Sequence, residues 1–193
     1  MKDSRRPILY ATVAVLAIVF IGVIGYLSRT PTAVPKSASA APEVAQLKVG
    51  QPAPNFTVST TAGAFNLAKA TGKPVLLEVF ATWCPHCQHE TTALDEIYAA
   101  YGGRIAMVAV SGSQYGMNGT DAESPEDVIT FAKDFSVHYP IAFDPSLEVA
   151  RQYLQGGFPT IVVIGKDGKI RYVASGETPV ADLKVQLDKA LAA

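Results

Sequence analysis

The feature that most constrains the fold is a pair of cysteines, Cys84 and Cys87, spaced C-x-x-C between a predicted buried strand and a predicted helix. Residues 74–80 form an apolar run that is typical of a buried strand. After the cysteines, apolar side chains recur every three or four residues as far as Tyr101, which predicts a helix over 85–101 with one buried face. Cysteines with this spacing, beside a strand and a helix, indicate a redox motif.

The position of the first cysteine at the start of the helix determines its chemistry. Unpaired backbone N–H groups and the helix dipole favour a negative charge there, so we expect Cys84 to be the nucleophilic thiolate. Cys87 lies three residues further on, where it can attack a mixed disulfide formed at Cys84, and we expect it to be the resolving thiol. Pro85 falls in the first helical turn, where its missing N–H costs nothing. The alternative is a pair of inert buried cysteines, and the combination of strand, spacing and helix argues against it.

Two other chemistries compete for the same cysteines. Attachment of c-type haem needs a His directly after the second cysteine, and here Gln88 intervenes, so we reject it. The side chains suited to copper(I) or zinc are Cys84, His86, Cys87 and His89. All four come from barely two helical turns, and no second Cys or His cluster in the sequence closes a tetrahedral site. We therefore expect no metal ion and no cofactor, and a copper-binding metallochaperone is the alternative function.

Two further side chains are candidates for tuning the cysteines. Glu78 lies within the apolar run, where an ionised carboxylate is costly to bury, so we expect a raised pKa and a role in accepting the proton of Cys87. The alternative is a strand-end Glu whose carboxylate reaches solvent. His86 is expected to lie close to the Cys84 sulfur, where its imidazole would stabilise the thiolate. The alternative for His86 is an exposed, solvated side chain.

An apolar segment near the amino terminus indicates a membrane anchor. No charged residue occurs between Arg6 and Arg29, and the apolar residues 8–27 match the ~20 residues that cross ~30 Å of hydrocarbon. A cleavable signal would have an apolar region of only about 7 to 15 residues, followed closely by a cleavage site. We therefore expect a single-pass signal-anchor that is retained. Basic residues are more frequent before the span than directly after it, which predicts that residues 1–7 are cytoplasmic and that the rest of the chain lies outside.

The remainder of the chain divides into a linker and a globular domain. Residues 28–46 are rich in Ala, Pro, Ser and Thr, a composition that favours a flexible linker. Residues 47–193 are long enough to bury a core without structural disulfides or a structural metal. The formal net charge is −1, with no run of basic residues, which argues against nucleic-acid binding. We expect the domain on the periplasmic or extracellular face of a bacterial inner or cell membrane.

The domain alternates predicted strands and helices. Predicted strands cover residues 55–60, 64–67, 105–110, 141–143, 160–164 and 170–174, and further predicted helices cover 125–135, 147–154 and a final segment from Thr178-Pro179. The order strand, cysteine motif, helix, strand predicts an α/β fold with a right-handed crossover. The polar loop 111–124 follows a parallel strand on the side of the cysteines, so Tyr115 and Met117 are candidates for partner contacts.

Several segments together resemble the thioredoxin superfamily, and most closely its membrane-anchored, extracytoplasmic TlpA-like and ResA-like branch. The segments that carry the resemblance are Gly50 to Phe56, Trp83 to Cys87, Phe143-Asp144-Pro145, Gly157-Phe158-Pro159-Thr160 and Ile164 to Ile170. The resemblance covers nearly everything after the linker. It implies a thioredoxin-like, three-layer α/β/α fold with a central mixed sheet.

The resemblance also implies a site and a function. Pro159 is expected to have a cis peptide bond and to lie against the cysteines, which leaves the backbone of Phe158 to pair with an extended substrate. Trp83 and Pro85 complete the substrate-binding residues expected. The implied partners are protein thiols and disulfides and a membrane redox partner. The anchored branch is largely reducing, as in cytochrome c maturation, whereas Pro85-His86 resembles the dipeptide of the strongly oxidising DsbA type, so the direction stays open.

Overall fold

The computed structural model describes Val23, Tyr26, residues 46–70 and residues 72–193. The predicted cytoplasmic terminus, membrane anchor and linker lie outside these residues, apart from Val23, Tyr26 and Gln46, and they stay predictions. Val23 and Tyr26 are exposed. Among the residues that are described, no helix combines the length and the apolar character needed to cross a membrane.

The described residues form seven strands and four α-helices. The strands are β1 (Thr57–Thr60), β2 (Gly63–Asn66), β3 (Val75–Phe80), β4 (Ala106–Ser111), β5 (Ile141–Phe143), β6 (Thr160–Ile164) and β7 (Ile170–Ser175). The α-helices are α1 (Pro85–Tyr101), α2 (Pro125–Asp134), α3 (Glu148–Tyr153) and α4 (Val180–Ala192). Short 3-10 helices follow β2 at Leu67–Ala70 and α1 at Gly102–Arg104.

All seven strands belong to one mixed sheet in the order β2-β1-β5-β4-β3-β6-β7. The pairs β3–β4 and β4–β5 are parallel, whereas β6 runs antiparallel to β3 and pairs with β7 in a hairpin. The predicted early hairpin is also present, as β1 and β2. Every residue of β3 is buried. The strand before the cysteines is therefore central in the sheet, and the motif emerges at its carboxyl end.

Helices cover both faces of this sheet. Side chains of α1, α2 and α4 pack in one core with Leu76 and Phe80 of β3. Side chains of α3 pack in a second core with Leu77 and Val79 of the same strand. This division follows from the two-residue period of a strand, which sends successive side chains to opposite faces. The predicted α/β fold with a central mixed sheet is confirmed.

Local sequence sets the starts of two helices. At α2, the Asp127 N–H donates to Ser124 Oγ at 3.2 Å, and the Ser124 N–H donates to Asp127 Oδ2 at 2.9 Å. This reciprocal capping box satisfies backbone donors that the helix itself leaves free. At α1, Pro85 occupies the first helical position, where proline is favoured. Both helices therefore begin where the sequence predicts, and β4 is displaced by one residue from the predicted strand.

Candidate active site

Cys84 and Cys87 lie at the start of α1, directly beyond the carboxyl end of β3. Cys84 is the N-cap residue, with φ −81° and ψ 118°, and its N–H donates to the Ala81 carbonyl at 3.1 Å. Both cysteines are free thiols. Cys84 is 6% exposed and Cys87 is 0% exposed, while Pro85 between them is exposed. An incoming sulfur atom can therefore reach Cys84 before Cys87, in keeping with the roles predicted for them.

The loop that leads into β6 lies against Cys84. The Phe158–Pro159 peptide bond is cis, as the resemblance implies. Cys84 Sγ lies 3.8 Å from the backbone oxygen of Phe158. The Trp83 indole packs edge to face on the Phe158 ring, with 6.1 Å between ring centroids. The structure thus brings together four of the predicted site residues, which come from segments more than 70 positions apart in the chain.

Glu78 lies inside β3 and is only 2% exposed. Among the described residues, its buried Oε1 atom has no hydrogen-bond partner. Burial raises the pKa of Glu78 well above its usual range, and the nearby charges of Glu90 and Cys84 raise it further. The carboxyl group is therefore interior and does not escape to solvent. A carboxylate with a raised pKa is a stronger base than an ordinary one and is suited to accepting a proton.

The buried thiol of Cys87 is affected by the charge of Glu78. Burial raises the pKa of the Cys87 thiol strongly, and the charge of Glu78 is the next largest cause. The Glu78 carboxylate and the Cys87 thiolate would repel each other in this interior. Ionisation of one group therefore disfavours ionisation of the other. Cys87 therefore keeps its proton in the resting site and needs a base before it can act as a nucleophile.

A second buried acid, Glu90, was missed by the sequence analysis. It is 3% exposed, and its Oε2 accepts the Thr178 N–H at 3.0 Å. Burial raises the pKa of Glu90 to about 7. Glu90 follows Cys87 by three residues and lies on the same buried face of α1 as Leu94. The helical period that predicts that face could therefore have found it.

A third buried acid, Glu123, belongs to the loop between β4 and α2 and was also missed. It is 9% exposed, and its Oε1 accepts the hydroxyl groups of Thr82 at 3.0 Å and Ser111 at 2.6 Å. Burial raises the pKa of Glu123 to about 7, although both hydrogen bonds lower it. The loop is mostly polar and has no regular apolar pattern, so no periodicity distinguishes Glu123 from solvent-facing neighbours. Its burial follows from contact with Thr82, 41 positions earlier.

His86 is exposed and interacts with a carboxylate. Its Nδ1 lies 2.5 Å from Oε1 of Glu177, in the connection between β7 and α4. His89 Nδ1 lies 3.6 Å from the same oxygen. The contact with His86 is the main cause of a lowered pKa of Glu177. In the part of the chain that is described, no group of three or more His, Cys, Asp or Glu side chains is arranged to hold a metal ion.

The buried acids predict how stability depends on pH. We expect the free energy of unfolding to fall as the pH rises from about 5 to about 8, because folding raises the pKa of Glu90 and Glu123 from 4.5 to about 7. The stabilising contribution of each protonated carboxyl is fully present below its pKa in the unfolded chain. It is lost as the pH rises through its pKa in the folded protein. The loss is on the order of 2 kcal/mol for each carboxyl. Urea titrations at the two pH values measure it.

Two variants serve as test and control for this pH dependence. Glu90→Gln keeps an oxygen that can accept the Thr178 N–H and removes the titrating group, so the fall should shrink. Glu126→Gln alters an exposed carboxyl in the first turn of α2 and should leave the fall unchanged. An equal fall in both variants would contradict the assignment to Glu90.

Comparison with known proteins places these features in context. Residues 48–187 match the family model described as Redoxin. The chain is 31% identical over 144 residues to the thioredoxin-like protein YneN of Bacillus subtilis, a match that covers 74% of this chain and 80% of the relative. It is 27% identical over 190 residues to the thiol-disulfide oxidoreductase ResA of Geobacillus thermodenitrificans. This match covers 97% of this chain and 98% of the relative.

A solved structure has a fold similar to that of this chain. The crystal structure of a thiol:disulfide interchange protein of the thioredoxin family from Chlorobium tepidum matches with a TM-score of 0.58 and 28% sequence identity. The match covers 76% of this chain and 99% of that one. Residues 48–187, which match the family model, include every side chain of the site described above.

Proposed function

The chain belongs to the Redoxin family, and we propose that it exchanges disulfides with protein substrates through the redox pair Cys84 and Cys87. It is a ResA-like member of the thioredoxin superfamily and a thioredoxin-like redox enzyme. The observation that carries the proposal is the placement of Cys84 at a helix start, 3.8 Å from the Phe158 carbonyl, with buried Cys87 one turn further along the helix. No step of the exchange needs a cofactor.

The first step is attack by Cys84. In the reducing direction its thiolate attacks one sulfur of a substrate disulfide, which forms a mixed disulfide and releases the other substrate sulfur as a thiolate. Backbone N–H groups at the start of α1 stabilise the attacking charge. The substrate segment lies against Phe158, Pro159, Pro85 and the exposed part of Trp83, where the chain offers backbone and aromatic contacts.

The second step releases the substrate. Ionised Glu78 takes the proton of the Cys87 thiol, and the resulting thiolate attacks the sulfur of Cys84. The Cys84–Cys87 disulfide forms, the second substrate sulfur leaves as a thiolate, and two electrons have passed to the substrate. In the oxidising direction the same steps run in reverse, with Glu78 returning the proton to Cys87.

The proposal includes a place in the cell. Residues 8–27 are uncharged and almost continuously apolar, which supports a single-pass anchor in a bacterial inner or cell membrane with the catalytic domain outside the cytoplasm. An exchange cycle needs a second redox partner, and for an anchored domain we propose a membrane protein that carries a dithiol or a disulfide. One such pathway is the reduction of cysteines during cytochrome c maturation. Digestion of the domain by protease added to intact spheroplasts tests the orientation.

Activity assays in both directions test the function. The full-length protein in detergent is expected to accelerate reduction of insulin by dithiothreitol, or oxidation of a reduced protein in the presence of oxidised glutathione. Titration with copper(I) runs beside them. A stoichiometric copper complex with neither exchange activity would contradict the proposal and support the metallochaperone.

Replacing His86 is expected to shift the redox potential. The imidazole stabilises the reduced, thiolate form of the pair, so His86→Thr should make the couple more reducing by tens of millivolts, where about 30 mV equals ~1.4 kcal/mol for two electrons. Glu177→Gln is the matched variant, because it removes the carboxylate bound to the imidazole. Removing that negative charge favours the thiolate, so its shift should be in the oxidising direction. Glutathione redox titrations measure both, and an unchanged potential in His86→Thr would return this side chain to a solvated surface role.

A further inference from the structure

The side chain next to the nucleophile is held by the loop between β4 and α2, residues 112–124. Trp83 is 37% exposed, and its indole N–H donates to Ser113 Oγ at 2.7 Å. The same hydroxyl accepts the Tyr115 N–H at 2.9 Å and donates to the Tyr115 carbonyl at 2.8 Å. The hydrogen-bonding capacity of Ser113 is thus filled by Trp83 and by the loop itself. The orientation of the indole depends on where the loop places Ser113.

The base of this loop is fixed by Glu123. Its Oε1 accepts hydroxyl hydrogens from Ser111, the last residue of β4, and from Thr82, the residue before Trp83. Both hydroxyl residues are 0% exposed, so water does not replace these bonds. One carboxylate oxygen therefore joins the end of the strand, the active-site segment and the end of the loop.

Other contacts make the loop a closed unit. The Glu123 N–H donates to the Gln114 carbonyl at 3.0 Å, and Tyr115 pairs with Ala122 in an isolated antiparallel bridge. At the other end of the loop, a Cβ on Gly112 would lie 2.6 Å from Ala150 Cβ, so the backbone packs there closely enough to require glycine. These contacts connect the two ends of the loop to each other and to Glu123.

Cys84 itself is held by backbone hydrogen bonds that do not involve this loop. Its N–H donates to the Ala81 carbonyl, and its carbonyl accepts the Gln88 N–H of α1 at 3.1 Å. Gln88 Nε2 also donates to the Thr82 carbonyl at 3.0 Å. The nucleophile thus keeps its place through the helix, whereas the indole of Trp83 depends on the loop.

We propose that Glu123 is a positioning residue that, through Thr82 and the loop, sets the orientation of Trp83 for recognition of disulfides in polypeptide substrates. Exposed Tyr115 belongs to the same recognition surface, while Met117 packs partly against the core. This inference rests on the proposed disulfide exchange, and it adds a determinant of substrate recognition. Small thiol reagents need to reach only Cys84, so their rate of reaction should not depend on Glu123.

The experiment compares Glu123→Ala with Glu123→Gln and Glu126→Ala in the full-length protein. Glu123→Ala should lower kcat/KM for a protein disulfide by about tenfold, mainly through KM, because a misplaced contact group weakens the productive complex. The rate of Cys84 alkylation by iodoacetamide should stay at the wild-type value. Glu123→Gln retains an acceptor oxygen and should restore most of kcat/KM, and exposed Glu126→Ala should match wild type.

Two further readouts separate positioning from loss of fold. Trp83 is the only tryptophan of the chain, so intrinsic fluorescence reports its surroundings, and Glu123→Ala should shift the emission to longer wavelength and lower the anisotropy. Ser113→Ala should reproduce the loss in kcat/KM, and the double variant should lose little more, because both residues act through one loop.

The outcomes are distinguishable. Equal kcat/KM in Glu123→Ala and Glu126→Ala would overturn the inference, and so would equal losses in protein exchange and alkylation. If the wild-type protein exchanges no disulfide, the proposed function fails. In that case an unchanged Trp83 emission in Glu123→Ala would overturn the positioning role as well, and a shifted, less anisotropic emission would support it.

Discussion

Replacing Cys87 by Ser in the full-length protein is expected to trap substrates as stable mixed disulfides at Cys84. In the proposed cycle the buried thiol of Cys87 attacks the Cys84 sulfur and releases the captured substrate, and a hydroxyl cannot do so. Turnover should stop after one encounter. Non-reducing electrophoresis followed by mass spectrometry would detect the adducts and name the substrates bound.

Cys84→Ser is the matched variant. It removes the more accessible sulfur and keeps Cys87, which is 0% exposed, so we expect neither turnover nor adducts. Accumulation of adducts in Cys84→Ser and their absence from Cys87→Ser would reverse the two roles. The comparison is specific because the chain has no third cysteine.

Glu78→Gln is expected to change catalysis and stability in opposite directions. Loss of the proposed proton acceptor for Cys87 should slow resolution of the mixed disulfide by about 10²-fold, a usual effect for a general base. The same change should raise the free energy of unfolding at neutral pH. Folding raises the pKa of Glu78, so ionisation of this carboxyl costs stability above its unfolded pKa, and an amide carries no such cost.

Single-turnover kinetics and urea unfolding measure the two effects. Glu90→Gln is the control, because it also removes a buried carboxyl from this region and keeps Glu78 as the base. It should raise stability at neutral pH and slow resolution much less. If both variants slow resolution equally, Glu78 has no special role in proton transfer. If Glu78→Gln lowers stability, the buried carboxyl has partners beyond those described.

The elements of the fold follow closely from sequence because each has a local cause. Pro85 and the helical period of the apolar residues set α1, and the capping box at Ser124 sets α2. The sequence is less informative about which of several apolar residues in a helix become buried, because tertiary packing decides this. In α4, the small Ala190 is buried, whereas the larger Val180 and Leu191 are only partly buried, so residue size alone does not predict which side chains the core covers.

The residues of the site also differ in whether the sequence alone predicts them. The cysteines, the cis proline loop and Glu78 were predicted, the loop only through a resemblance. The helical period of the apolar residues in α1 could have predicted that Glu90 lies on the buried face. The contacts His86–Glu177 and Thr82–Glu123 join positions 91 and 41 residues apart, and no local pattern encodes such distances. Polar residues in loops acquire burial and a raised pKa only when the chain has folded around them.

The most direct test of the central claim is thiol counting after a single turnover. The reduced full-length protein is mixed with an equal amount of a disulfide-bonded protein substrate, quenched with an alkylating reagent and weighed by mass spectrometry. The account predicts that the chain loses both alkylation sites, that a Cys84–Cys87 linked peptide appears, and that the substrate gains two thiols for each chain oxidised. Cysteines that remain fully alkylated, with an intact substrate disulfide, after incubation in either redox direction would contradict it.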